Sequence, residues 1–369
     1  MQNNTIFLIS HQADLSGAPL SLMYLAKGLL ASGKYHPVYI VPERGPLLQK
    51  LRANNIETIV LSGFKAWQLY SRIKKYNPSI LHVNTAVNWY AAIIGRLCRI
   101  PVVWHIREDL SGHPWLISFI VKYADRIVAI SRSVRSYFPQ QAWPKIDIIY
   151  NAIDLTQYPL LSSESRFENI KDSFSNKSLA DNEKINIGFA GSVEPRKGVL
   201  ELIEAFSLLH EKFPQVRLHC AGRVLPVARK YYQKIEGFCK RKGLKDDVIW
   251  RGSVESIADF YREMDIVVVP SLSEPFGRVV IEAMAAGKPV IGSNCGGIPE
   301  IIKDGETGFL AEAGNSQNLA GVMIKVMNID GRKIDVLVQK ARADVEERFS
   351  LRQHTAALEQ IYKREGLIR

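Results

Sequence analysis

The chain has 369 residues, 47% hydrophobic and 23% charged, with a formal net charge of +11. That length exceeds one ordinary core and predicts two domains, and the composition excludes a disordered chain. No apolar run reaches the roughly 18 to 20 residues that span a bilayer, and residues 1–10 lack a basic start and a cleavage site, so a cytoplasmic protein is expected.

In chain order, residues 5–10 read as a strand, followed by a loop through Gly17 and a helix from about 19 to 31. Residues 37–41, 80–83, 102–105, 126–130 and 146–150 read as further strands with helical stretches between several of them. Such alternation predicts a parallel α/β sheet. His105 ends a strand reading Val-Val-Trp-His. A single histidine there is either structural or faces the crevice at the carboxyl edge of the sheet. Residues 1–160 carry 17 Lys and Arg against 8 Asp and Glu, so most of the basic excess sits in this half. An anionic acceptor or an anionic membrane surface fits that charge, whereas no recognition motif for nucleic acid is present. Residues 64–76 combine Trp67, Leu69, Tyr70 and Ile73 with Lys65, Arg72, Lys74 and Lys75. This pattern fits a surface helix packing one face on a sheet better than a helix lying in a membrane interface, which stays the alternative.

Residues 161–183 are polar and poor in apolar periodicity, which marks a linker. Strands are expected again at 185–190, 216–220, 248–251, 265–269 and 290–292. Gly191 permits a tight turn after the first of these, and Leu200, Ile203, Phe206 and Leu209 follow at helical spacing. Arg196 and Lys197 sit where that helix begins. Cations are unfavourable at a helix amino end, so the pair suggests an anionic ligand, the alternative being a solvated basic turn.

The run of β-branched residues before Pro270 reads as a strand buried on both faces, residues 271–277 as the loop at its carboxyl end, and residues 278–286 as a helix closed by Gly287. Amides opening at Gly277, Arg278 and Val279 would form a diphosphate site at the helix amino end. Glu274 and Glu282 bracket that site. Carboxylates repel phosphate, so their partners are either hydroxyl groups, which points to a nucleotide carrying a sugar, or ordinary structural ones, with Glu274 capping the helix and Glu282 in a surface ion pair. A terminal amphipathic helix is expected over 351–362. Cys98, Cys220, Cys239 and Cys295 lack Cys-x-x-Cys spacing and read as reduced, buried thiols. The histidines show no metal-ligand spacing, and no Asp-x-Asp triplet is present.

Glu274-Pro-Phe-Gly followed by Glu282-Ala-Met-Ala-Ala-Gly-Lys-Pro-Val resembles the Glu-x7-Glu signature of the glycosyltransferase family 4 enzymes. The resemblance continues through Gly296-Gly297-Ile-Pro-Glu300 and Asp304-Gly-Glu-Thr-Gly-Phe-Leu310. Upstream it takes in Gly188-Phe-Ala-Gly191 and Arg196-Lys197-Gly198. It implies the GT-B fold, with two Rossmann-like doubly wound domains facing a central cleft and a C-terminal helix crossing back to the first. The expected boundaries are 1–165 for an acceptor-binding domain, 166–184 for the linker, 185–348 for a nucleotide-sugar-binding domain and 349–369 for the crossover helix.

The resemblance implies a retaining transferase acting on a UDP- or GDP-type sugar donor and a glycan or lipid-linked acceptor, in cell-surface or extracellular polysaccharide assembly. It assigns catalysis to His105, Glu274, Arg196 and Lys197. Donor binding is assigned to Gly17, Gly191, Arg196, Lys197, Glu274, Phe276, Gly277, Arg278, Val279, Glu282 and Arg251. No cofactor or metal is expected. The loop before the first helix departs from the family's Gly-Gly-Ala-Glu, with Ser16 for the first glycine and Pro19 for the glutamate. Asn151-Ala-Ile-Asp154 is read as structural. Absence of Gly-x-Gly-x-x-Gly after the first strand argues against a nicotinamide oxidoreductase. A GT-B sugar-nucleotide epimerase and a non-catalytic glycan-binding protein share the architecture and stay open.

Overall fold

The computed structural model describes residues 4–61, 63, 65–159 and 184–364. The chain divides into two compact units, Met1–Asp154 with Arg348–Arg369, and Leu155–Glu347. The expected linker, apart from Lys184, lies outside the described residues, as does Phe64.

The first unit holds β1 (Thr5–Ile9), β2 (His36–Val41), β3 (Glu57–Val60), β4 (Ile80–Asn84), β5 (Val102–Ile106), β6 (Arg126–Ala129) and β7 (Ile146–Ile148). They form one parallel sheet in the order β3-β2-β1-β4-β5-β6-β7. Every residue of β1, β4 and β5 is buried, which is why these strands read as unbroken apolar runs. The edge strand β3 was not expected, since Glu57-Thr-Ile-Val is short and three of its four residues are only half-buried.

The terminal helix Leu351–Lys363 belongs to this unit and packs on helix Gly17–Ala31. Its apolar stripe of Leu358, Ile361 and Tyr362 joins Leu22, Leu25 and Leu29 in one core. Ion pairs at its margin join Lys34 to Glu359 at 3.2 Å and Lys27 to Asp154 at 2.6 Å. The division between the units falls at Asp154, the residue Lys27 holds.

The second unit holds β8 (Ile185–Ala190), β9 (Val216–Ala221), β10 (Val248–Gly252), β11 (Ile266–Val269), β12 (Val290–Ser293) and β13 (Phe309–Ala311). Their order is β10-β9-β8-β11-β12-β13, again all parallel. Leu202, Ile203, Phe206 and Leu209 of helix Val199–Lys212 meet Leu319 and Met323 of helix Ser316–Met327 in its core. Both sheets are doubly wound, and each reverses strand order once, between β1 and β4 in the first unit and between β8 and β11 in the second. Ligands of such sheets bind at the carboxyl ends of the strands beside the reversal. Among the described residues no helix is long and apolar enough to cross a membrane.

Candidate functional site

At the reversal in the second unit, the loops leaving β8 and β11 lie side by side. The first runs from Gly191 through the short turn Pro195–Lys197 to Gly198, whose φ of +66° starts helix Val199–Lys212. A Cβ at Gly198 would lie 1.9 Å from the carbonyl oxygen of Pro270, so only glycine lets the two loops approach. The Leu272 amide donates to the Arg196 carbonyl at 2.8 Å, fixing their register.

This packing sets Lys197 Nζ 2.6 Å from Glu274 Oε2, with the two side chains only 15% and 14% exposed. Beside them Arg196 Nη2 lies 2.8 Å from Glu194 Oε1, which also accepts from the Ser192 hydroxyl at 2.6 Å. Glu274 is held from behind as well. Its carbonyl accepts from the Gly297 amide at 2.9 Å, and a Cβ at Gly296 (φ +54°) would sit 2.0 Å from that same oxygen. The Cys295 thiol donates to the Ser271 carbonyl at 3.0 Å. Burial, with the Glu274 charge behind it, pushes that thiol up to about 11.

Helix Arg278–Ala285 opens at Gly277 (φ +109°), with no side chain capping it and no acidic residue in its first turn. Its positive dipole end therefore faces the same edge. Four residues in, Glu282 is 6% exposed. Its Oε1 accepts from Arg278 Nε at 2.6 Å and its Oε2 from the Tyr261 hydroxyl at 3.3 Å. Burial and the Glu282 charge raise the Tyr261 pKa well above its ordinary value, so this phenol remains a donor. An ionised carboxylate has about four lone-pair sites, and these two contacts leave room for ligand hydroxyls.

Gly191, Arg196, Lys197, Glu274, Gly277, Arg278, Val279 and Glu282 thus share one edge of the second sheet. Two expected donor residues need correction. The Phe276 ring is buried at 2% exposure, so it anchors the loop and offers a ligand only its main chain. Arg251 turns away: its guanidinium donates to His219 Nδ1 at 3.2 Å and to Glu263 at 2.9 Å. Glu263 ends the helix Ile257–Glu263 that returns from β10 to the start of β11, which puts this ion pair toward the opposite edge. Tyr261 and Cys295 were missed because each contributes through a partner distant in sequence, and Glu194 because its pairing with Arg196, two residues on, carries no motif of its own.

In the first unit, helix Gly17–Ala31 begins two residues earlier than expected, with Gly17 exposed as its first residue. The Ser16 hydroxyl donates to Asp14 at 2.6 Å rather than capping the helix. His105 does not face an open crevice, because its side chain is fully buried. It lies on the interior strand β5 under the terminal helix, its ring stacked on His354 with centroids 6.0 Å apart. Its Nδ1 lies 3.3 Å from His82 Nε2 and 3.2 Å from Arg107 Nη2, while its Nε2 is buried with no partner. His82 Nδ1 in turn lies 2.7 Å from the Tyr362 hydroxyl.

Arg107 donates through Nε to Asn84 at 2.5 Å and through Nη1 to Asn151, in line with the structural reading of Asn151. Desolvation, followed by the nearby Arg107 charge, holds His82 and His105 well below the ordinary imidazole range and His354 at about 4. All three are neutral at physiological pH. His82, Arg107, His354 and Tyr362 were not expected around His105. Only Arg107, two residues beyond it, is close in sequence. Of the cysteines, Cys220 and Cys239 are buried as expected, whereas Cys98 and Cys295 are only partly so.

Comparison with known proteins fits this geometry. The family described as Glycosyltransferase Family 4 matches residues 15–157, and that described as Glycosyl transferases group 1 matches residues 170–344. An uncharacterised glycosyltransferase of Methanocaldococcus jannaschii is 26% identical across 91% of each chain. The N-acetyl-α-D-glucosaminyl L-malate synthase of Bacillus anthracis is 28% identical over 78% of this chain and 75% of its own. The structure of Anabaena HepE in complex with UDP and glucose superposes with a TM-score of 0.82 at 23% identity, covering 98% of this chain and 99% of that one, and so shares the fold. With both units matched and the Glu274–Glu282 loop built on the second, this chain belongs to the group 1, family 4 glycosyltransferases.

Proposed function

We propose that the enzyme transfers a sugar, with retention at the anomeric carbon, from a UDP- or GDP-type donor to a hydroxyl of a glycan or lipid-linked acceptor, in cell-surface or extracellular polysaccharide assembly. The Lys197–Glu274 pair at the strand-order reversal carries this reading. It puts a cation suited to phosphate and a carboxylate suited to sugar hydroxyls on adjoining loops. Lys197, Arg196 and the amino end of helix Arg278–Ala285 would offset the charge that grows on the leaving diphosphate. Glu274 would accept from the transferred sugar and Glu282 from the ribose, while Gly17 offers backbone approach in the first unit.

By family resemblance the acceptor attacks from the face of the leaving group. In that route the acceptor oxygen bonds to the anomeric carbon as the bond to the diphosphate breaks, and the departing phosphate takes the acceptor's proton. Two protein cations beside the phosphates support a reaction without a metal ion, to be checked by turnover in EDTA. UDP bound to the HepE structure makes UDP the first base to test. The experiment is to screen UDP-, GDP-, ADP- and TDP-sugars for release of nucleoside diphosphate, then determine the anomeric configuration of the product by NMR. An inverted product, or near-normal turnover in both Arg196→Ala and Lys197→Ala, overturns the assignment.

Peripheral contact with an anionic membrane is part of the same reading. Helices Lys65–Tyr76, Trp89–Cys98 and Pro114–Tyr123 are neighbours in the first unit. They turn Leu69, Ile73 and Ile120 inward and leave Trp67, Trp89, Leu97 and Trp115 exposed beside Lys74, Lys75, Arg96 and Lys122. Aromatic and basic side chains together suit a headgroup interface. Sedimentation with anionic vesicles should fall in Lys74→Glu/Lys75→Glu, and equal recovery with neutral and anionic vesicles contradicts it.

A further inference from the structure

Helices Lys65–Tyr76, Trp89–Cys98 and Pro114–Tyr123 are the successive crossovers that join β3 to β4, β4 to β5 and β5 to β6. Crossovers between parallel strands are right-handed, which puts all three on one face of the first sheet, and the middle helix packs against both of the others. Each starts at the carboxyl edge of the sheet and runs back toward the amino edge. Trp67 is the third residue of its helix, Trp89 the first and Trp115 the second, so each helix brings one tryptophan to the same rim. Trp67 and Trp115 are 66% exposed and Trp89 49%, and Val87, in the turn Ala86–Asn88 that leads into the middle helix, is 61% exposed. The rim borders the carboxyl ends of the strands, where a doubly wound sheet takes its ligand.

The charge beside this rim has one sign. Between Glu57 and Glu108 the chain carries seven Lys and Arg and no acidic residue, and helix Pro114–Tyr123 adds Lys122 without one. Tryptophan rings suit the headgroup level of a bilayer, apolar at one end and polar at the other, and cations among them select anionic lipid. We propose that the rim of Trp67, Trp89 and Trp115 lies in the surface of an anionic membrane beside the ligand edge of the first sheet, and that the acceptor is of the lipid-linked class, taken while its apolar chain stays in the bilayer. This rests on the transfer reaction and the membrane contact proposed above, and it chooses between a free glycan and a lipid-linked one. An acidic protein would answer the charge as well, but only a bilayer also delivers an acceptor to the edge that the rim borders.

The test uses the full chain and the variant Trp67→Gln/Trp115→Gln, whose two side chains lie mostly in solvent, so that the variant should fold. Vesicles of phosphatidylglycerol and phosphatidylcholine with brominated acyl chains should quench the tryptophan fluorescence of the wild type, and the variant should lose most of that quenching. Transfer is then measured from the sugar nucleotide that the donor screen selects to a panel of dodecyl glycosides held in the same vesicles without bromine, and to the methyl glycosides of the same sugars in solution. Holding enzyme and acceptor on one surface raises their effective concentration, so a dodecyl glycoside should be used at least about tenfold better in kcat/KM than its methyl counterpart. The variant should lose that preference and keep the wild-type rate on the methyl glycoside.

Quenching that is absent in the wild type, or equal in wild type and variant, overturns the proposal. So does a panel in which no dodecyl glycoside is preferred, a preference that persists in the variant, or a mass that rises with concentration while the rings stay unquenched, which gives the rim to a second copy of the chain. The levels separate cleanly. Sedimentation with anionic vesicles but no quenching leaves the membrane contact standing and removes the rim. Normal release of nucleoside diphosphate with no dodecyl preference removes only the lipid-linked acceptor, whereas no release from any sugar nucleotide counts against transfer itself.

Discussion

Three neutral histidines packed around one guanidinium should make the first unit acid-labile. His82, His105 and His354 are at most 4% exposed, and burial with the Arg107 charge keeps them unprotonated. In the unfolded chain each returns to its ordinary pKa near 6.5. Since the folded values are depressed, the unfolded state binds more protons as pH falls, and stability present above pH 6.5 is lost below it. Between pH 7.5 and 5.5 the linkage relation gives a loss of about 1.3 kcal/mol per histidine, or about 4 kcal/mol for the three. That is a large part of the roughly 5–15 kcal/mol that holds a domain together.

Urea denaturation followed by tryptophan fluorescence reports on this unit, because Trp67, Trp89, Trp104, Trp115 and Trp143 lie in it and only Trp250 does not. The midpoint should drop steeply from pH 7.5 to 5.5. In His354→Gln that pH dependence should shrink by about a third. An unchanged midpoint in the wild type, or the same pH dependence in the variant, refutes the assignment of three buried neutral rings.

Lys197→Met should fold normally and lose about 10²- to 10³-fold in kcat, measured by nucleoside diphosphate release, because a cation on the developing charge is removed. Glu282→Gln should raise the donor KM about 10- to 100-fold, since a charge-assisted acceptor becomes a neutral one, and steady-state kinetics with varied donor will show it. Gly296→Ala forces a methyl against the Glu274 carbonyl, 2.0 Å away, at a φ of +54°. It should cost about 1–3 kcal/mol in thermal unfolding and reduce turnover through the displaced Glu274 loop. With its thiol held up at about 11, Cys295 should be alkylated by iodoacetamide at pH 7.5 far more slowly than a free thiol in the same mixture.

The parallel sheets were legible because their interior strands are buried on both faces and so read as apolar runs between helical periods. The same was true of the second unit's loop edge, where Glu274, Gly277, Arg278 and Glu282 fall within nine consecutive residues on one strand–loop–helix unit. Short edge strands such as β3 and β13 escaped, since too few residues carry the alternation. Tyr261 was invisible for another reason: it acts by holding the Glu282 carboxylate, and such a pairing depends on packing rather than local spacing. The His105 surroundings show this most clearly. His82 comes from the neighbouring strand and Tyr362 from the terminal helix, so no local pattern links them. Arg251 went the other way. The family resemblance placed it among the donor-binding residues, but its guanidinium pairs with His219 and Glu263.

The most direct test of a donor site on the second unit is calorimetric titration of the full chain with UDP and with GDP, repeated with Lys197→Met and Glu274→Gln. One of the two nucleotides should bind saturably, and Lys197→Met should weaken it by about tenfold or more as a charge-assisted phosphate contact is lost. Glu274→Gln should leave that affinity intact and weaken only the sugar-bearing nucleotide. Failure of both nucleotides to bind, or equal affinity in the wild type and Lys197→Met, contradicts the account.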